Sequence, residues 1–222
     1  MSICPADAAD LPGRWRAALG VDGPAVDRAG CDLLARYAEP HRRYHTQQHL
    51  AEVLTALDLI SLDLIAPDVT GGGSTARLAA WFHDAVYDPR WADNEERSAA
   101  LASKVLPGLG LPPAVVEEIA RLVRLTATHD ADPHDAAGAA LCDADLAILG
   151  ADAARYAAYA DAVRAEYCHL PADAFATGRA DVLRGLLERR PLYRTEPAAR
   201  RWAAAARANL DRELRTFRDC AG

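Results

Sequence analysis

The chain has 222 residues, of which 51% are hydrophobic and 26% charged, and its formal net charge is −7. That length suits one large domain or two small ones, and the composition is that of an ordinary soluble globular protein. The negative balance argues against general nucleic-acid binding, which calls for a basic face. A small phosphorylated partner stays compatible, because a bound divalent cation reverses the local sign.

Five cysteines at Cys4, Cys31, Cys142, Cys168 and Cys220 form no CxxC pair, so neither a zinc knuckle nor a disulfide framework is suggested. No leader pattern and no apolar run of membrane-spanning length stands out, and a cytoplasmic protein without membrane contact is expected. The sequence leaves the oligomeric state open. Abundant alanine beside only three phenylalanines favours helices packed closely through small residues.

In chain order, Leu11, Trp15, Ala18 and Leu19 repeat at helical spacing within residues 5–20, and Gly20 to Pro24 breaks the pattern. Val26, Leu33, Leu34 and Tyr37 mark a second helix. Leu50, Val53, Leu54, Leu57 and Ile60 mark a third, expected over 45–62. His45 and His49 then fall four apart on one face of its first turn. Two imidazoles and an arginine sit poorly at a helix N-terminus unless the imidazoles are neutral, as metal binding would make them. Gly71-Gly72-Gly73-Ser74 reads as a flexible loop.

Next comes Leu78-Ala79-Ala80-Trp81-Phe82-His83-Asp84-Ala85-Val86-Tyr87, a helix expected over 78–87 and apolar on nearly every side. A buried carboxylate at Asp84 needs a partner or a cation. Neighbours on a helix diverge by about 100°, so His83 and Asp84 reach one ion together only at a kinked or terminal turn. Asp93-Asn94-Glu95-Glu96 opens another helix, with Asp93 as N-cap and Glu96 three residues on. A further helix over 112–129 runs out through Thr128-His129, and His134 follows in a polar loop. The stretch 141–149 is again helical and apolar, with Asp143 and Asp145 embedded. Three C-terminal helices complete an all-α architecture of nine or ten helices in one domain over 1–222: N-terminal helices 1–34, a core 35–150 and C-terminal helices 151–222.

The buried polar positions are thus His45 or His49, then His83-Asp84, then Asp143 or Asp145, each on a different helix. Imidazoles and carboxylates converging in a helical core make a mixed N/O site for a divalent ion. The bland alternative is a buried His–Asp hydrogen bond without metal.

That order resembles the HD superfamily of metal-dependent phosphohydrolases. Arg42-x-x-His45-Thr46, Trp81 to Tyr87, Asn94-Glu95-x-x-Ser98-Ala99, Ala127-Thr128-His129, Asp143-Ala144-Asp145-Leu146, Arg164-x-Glu166-Tyr167, Gly178-Arg179 and Ala206-Arg207-x-Asn209-Leu210 resemble one branch of it, described only as predicted HD phosphohydrolases. The resemblance covers roughly residues 35–215. It implies an HD-type helical bundle with His45, His83 and Asp84 as metal ligands, His49 being the alternative to His45. Asp145 is favoured over Asp143 as the last ligand.

The resemblance further implies hydrolysis of a nucleotide or other small phosphate ester, with Asp84 orienting a water and Glu95 acting as general acid or base. Arg42, Arg43 and Arg164 become phosphate contacts, and His49, Asn94 and His129 substrate contacts. The ion stays open among Mn, Fe, Co, Ni, Zn and Mg. A mononuclear site is expected, since His129 and His134 stand only five apart in a polar loop, a poor arrangement for a second ion. A di-iron oxygenase of the same fold, or a metal-binding regulatory module without turnover, are the alternatives.

Overall fold

Helix α1 (Leu11–Leu19) starts where the Asp10 carboxylate accepts the Gly13 N–H at 3.0 Å, and it stops at Gly20, whose φ of +70° closes it in the left-handed conformation. It opens a computed structural model that describes residues 10–63 and 72–219. Proline in the first turn starts α2 (Pro24–Tyr37). There follow α3 (Gln47–Asp63), α4 (Gly72–Phe82), α5 (Asn94–Val105), a 3₁₀ turn at Leu106–Leu109 and α6 (Pro113–Leu125). Then come α7 (Ala136–Asp145), prolonged by a 3₁₀ turn at Leu146–Gly150, α8 (Ala153–Glu166), α9 (Ala172–Glu188) and α10 (Glu196–Asp219). Among the described residues there are ten α-helices and no strand, so the protein is an all-α, single-domain bundle.

The centre is made by α3, α4 and α7, which pack on one another. Helix α6 covers α4 and carries α5, while α10 lies over the 3₁₀ turn after α7 and against α9. Leu50, Leu54, Leu57 and Ile60 of α3 meet Trp81 and Phe82 of α4 in one apolar core. Ala79, Ala80, Ala99, Ala102, Ala144 and Ala206 are almost wholly buried, which is where the alanine-rich composition acts: small side chains let backbones approach. Trp15 packs edge-on to Trp81 with ring centroids 5.2 Å apart. Among the described residues, no helix is long and apolar enough to cross a membrane.

Several local expectations change. The helix expected over 112–129 ends at Leu125, and the one expected over 141–149 starts already at Ala136 and passes into the 3₁₀ turn at Leu146. The helix expected over 78–87 stops at Phe82, leaving His83 and Asp84 in the turn that leaves it. Carbonyls freed there are taken by the buried Arg42 guanidinium, which donates to Asp84 O at 2.7 Å and Ala85 O at 3.4 Å, and Ser98 Oγ accepts the Val86 N–H at 3.0 Å. Gly72–Ser74 belong to α4 instead of forming a loop, while Gly71 lies outside the described residues, as do 5–9. Asp93 makes no cap bond: it pairs with Arg97 at 2.8 Å, and Glu96 pairs with Arg124 at 2.6 Å. The Asn94 side chain closes the preceding turn in their place, accepting from Asp88 N at 3.0 Å and donating to Asp88 O at 2.9 Å.

Candidate metal centre

Helix α3 begins at Gln47, so His45 lies in the turn before it and His49 in its first turn. The two are therefore not neighbours on one helical face. His49 points inward, 2% exposed, and its Nε2 comes to 3.0 Å from His83 Nε2. Asp145, at the end of α7, places Oδ1 3.1 Å from His49 Nε2 and 3.5 Å from His83 Nε2. These three residues form a group whose donor atoms converge and which could bind a metal ion. Asp84 stands beside it, with Oδ2 at 3.3 Å from His49 Nε2 and 3.0 Å from His83 Nε2.

The donor set fits an ion. Atoms bound at about 2.0–2.2 Å to a common centre stand roughly 2.8–3.6 Å apart for angles between 90° and tetrahedral. The three edges of the group, 3.0, 3.1 and 3.5 Å, fall inside that range. The tautomer also fits. His83 Nδ1 lies 2.8 Å from Ala80 O and donates to it, which leaves the Nε2 lone pair facing the group.

Electrostatics follow from this crowding. Burial alone would make His49 and His83 harder to protonate, but the carboxylates beside them outweigh it and raise both pKa values, that of His83 strongly. Burial would equally raise Asp84 and Asp145. The facing imidazoles overcome it and hold both carboxyls well below the ordinary range. His129, which holds φ at +52°, reaches Asp145 Oδ2 with Nε2 at 2.7 Å and so turns the other oxygen, Oδ1, toward the imidazoles.

The remaining sequence candidates lie elsewhere or act differently. Asp143 accepts from Arg194 N at 2.9 Å, Thr195 N at 2.6 Å and Thr195 Oγ1 at 2.8 Å, so this buried carboxylate caps the start of α10 and is not in the group. His45 is not in the group either: its Nδ1 is bonded to Glu166 Oε2 at 2.7 Å, and its other ring nitrogen does not converge with the donors of His49, His83 and Asp145. Arg42 is wholly buried at its side chain and donates to Glu39 and to the carbonyls of His45, Asp84 and Ala85, so no phosphate can reach its guanidinium.

Arg43 donates to Pro40 O and Arg42 O, and Arg164 donates to Tyr167 O and Leu170 O beside the Phe175 ring. Asn94 closes its own turn, as described. Glu95, half-buried, lies near Tyr167, whose pKa its charge helps to raise. His134 is exposed, so the structure does not bring His129 and His134 together as a second pair.

A cleft of about 460 Å³ opens beside the group, with Asp145, His45 and His129 in its wall. Tyr159, Leu146, Ile148 and Leu186 give it apolar sides. Arg179 and Arg189 also border it, but Arg179 is paired with Glu213 at 2.8 Å and Arg189 donates to the carbonyls of Thr128 and His129.

Glu166, whose carboxylate holds the turn at 43–45 and the His45 ring, is the residue of this region that sequence reasoning left without a role. Its only signal was the Arg164-x-Glu166-Tyr167 motif, which does not say that a residue ending α8 reaches back to the turn at 43–45. Comparison with protein-family models, with curated proteins and with solved structures finds no match to this chain.

Proposed function

We propose that this chain is a metal-dependent phosphohydrolase of the HD kind, acting on a small phosphate ester with one bound ion. The observation that carries the reading is the set of imidazole and carboxylate donors spaced 3.0–3.5 Å apart, one of which, Asp145, lines an open cleft. His49, His83 and Asp145 would hold the ion, with Asp84 as the fourth donor. A divalent ion held there supplies Lewis-acid polarisation of a phosphoryl oxygen and makes a coordinated water more acidic.

The chain supplies the rest. Ala80 O holds the His83 proton on Nδ1, and His129 holds Asp145, so the donors are set before any ligand arrives. The apolar cleft wall takes the alcohol part of the ester and keeps bulk water from it. With its arginines already paired, the cleft suits a substrate whose phosphoryl charge is met at the ion. The di-iron oxygenase alternative loses support because His134 is exposed and adds no donor.

The test is elemental analysis of protein purified without chelator, followed by hydrolysis assays with p-nitrophenyl phosphate and nucleoside monophosphates under Mn, Fe, Co, Ni, Zn or Mg. One ion per chain with hydrolysis of a phosphate ester supports the reading. Two irons with oxygen consumption, or metal without hydrolysis under any ion, rejects it.

A further inference from the structure

Glu166 accepts five hydrogen bonds in the core of the protein. Its Oε1 takes the backbone N–H groups of Arg43, Tyr44 and His45 at 2.7, 2.8 and 3.0 Å. Its Oε2 takes Tyr87 Oη at 2.9 Å and meets His45 Nδ1 at 2.7 Å. The side chain is fully buried. Burial works against its charge, but the His45 and backbone donors win and bring its pKa down to about 2. An ionised carboxylate is acceptor-only, so His45 Nδ1 carries the proton. The neutral ring then has its lone pair on Nε2.

The ring is held in place as well as in tautomer. It lies against Tyr87 with centroids 4.1 Å apart and planes 30° apart, and edge-on to Tyr44 at 4.8 Å. Its side chain is 21% exposed, and it lines the same cleft as Asp145. Among the described residues nothing bonds to its Nε2.

We propose that His45 is the catalytic proton carrier of the cleft, and that Glu166 and Tyr87 are positioning residues that present its Nε2 there. The catalytic half rests on the phosphohydrolase reading, whereas the positioning half rests on the geometry alone. In the step, a water oxygen forms a bond to phosphorus while His45 Nε2 takes one of its protons. The ester P–O bond breaks with its electron pair on the alcohol oxygen, which then receives that proton. The products are the alcohol and hydrogen phosphate, and His45 returns to its neutral form.

The experiment has two arms. The first needs no turnover: nitrogen NMR of the metal-free chain with labelled histidine, read at a pH where the spectrum itself shows the His45 ring to carry one proton. The His45 ring, assigned by its loss in His45→Gln, is expected with its proton on Nδ1, and a proton on Nε2 overturns the positioning. Glu166→Gln removes an acceptor that the turn at 43–45 needs, so it risks the fold. Tyr87→Phe keeps the ring stack and removes one bond, and it should shift the His45 resonance. No shift overturns the role of Tyr87.

The second arm measures hydrolysis of p-nitrophenyl phosphate, or of whichever ester the wild type turns over. His45→Gln should lower kcat by about 10²–10⁴-fold with KM and metal content unchanged. An unchanged kcat, or loss of the metal, overturns the proposal. Failure of the wild type to hydrolyse any phosphate ester rejects the phosphohydrolase reading and with it the catalytic half, while the first arm still decides the positioning.

Discussion

His49 Nε2 lies 3.0 Å from His83 Nε2, and neither imidazole is more than 2% exposed. His83 already donates its Nδ1–H to Ala80 O, so in the neutral ring its Nε2 can only accept. Two nitrogens aimed at one point beside two carboxylates form a group that could bind a metal ion.

Metal binding should therefore stabilise the fold. An ion at about 100 times its Kd adds roughly 2.7 kcal/mol, which in a chain of this size raises Tm by roughly 5–10 °C. Chelator should reverse the gain in a thermal melt. His49→Ala and His83→Ala should abolish it, whereas His45→Ala should keep it. A gain retained by His83→Ala would show the ion to bind elsewhere.

Asp143 and Asp145 should separate cleanly. Asp143→Ala strands the donors of Arg194 and Thr195 at the start of α10, and an orphaned buried donor costs about 1–3 kcal/mol. Urea unfolding should show that loss with metal binding retained. Asp145→Ala should lose the ion. Equal metal loss in both variants would put Asp143 among the ligands.

Much of this architecture is legible in the sequence because period-3.6 apolar repeats such as Leu50, Val53, Leu54 and Leu57 have one physical meaning. The doublet His83-Asp84 is legible too, since two polar residues in an apolar run need a reason. The choice between His45 and His49 is not, because spacing of four makes them equivalent unless the helix start is known. The start at Gln47 breaks the tie, and a carboxylate more than a hundred residues away, Glu166, claims His45. Arg42 misleads for a similar reason. An arginine next to histidines reads as a phosphate contact, and only the tertiary structure shows its guanidinium on the carbonyls at the end of α4.

That buried arginine gives a stability prediction. Lysine cannot reproduce its bonds to Glu39 Oε2, His45 O and Asp84 O together. Arg42→Lys should lose roughly 2–3 kcal/mol in urea unfolding, by analogy with other buried charged donors. A variant as stable as the wild type would show that these bonds add nothing to the fold.

Acid should act through Glu166. Its pKa falls from 4.5 to about 2 on folding, so the group is charged and stabilising above about pH 4.5. A depressed carboxylate loses its contribution as pH falls, here between about pH 4.5 and 2. The full shift corresponds to roughly 3 kcal/mol, with no discount for solvent because the side chain is buried. Urea midpoints measured across that window should drop more steeply for the wild type than for Glu166→Gln, which has no proton to gain. Parallel slopes would show that Glu166 is not the acid-sensitive group.

His129 offers the sharpest separation of stability from metal affinity. Its φ of +52° puts a non-glycine residue in the left-handed region, a strain of about 1 kcal/mol. Arg189 holds that backbone by donating to Thr128 O at 2.7 Å and His129 O at 3.2 Å. The conformation serves to aim Nε2 at Asp145 Oδ2. Asparagine tolerates the left-handed region better than histidine's β-branched or bulky alternatives, but its shorter side chain cannot span to Asp145. His129→Asn keeps that backbone conformation and loses only the bond to Asp145, so the metal-free chain should lose about 1 kcal/mol and stay folded. Removing a hydrogen bond that orients a metal-binding carboxylate typically weakens affinity about 10–100-fold. Calorimetric titration with Zn or Mn should show that loss at unchanged stoichiometry. Wild-type affinity in His129→Asn would mean that Asp145 is aimed by the core of α7 alone. A complete loss of binding would instead promote His129 from positioning Asp145 to holding the ion itself.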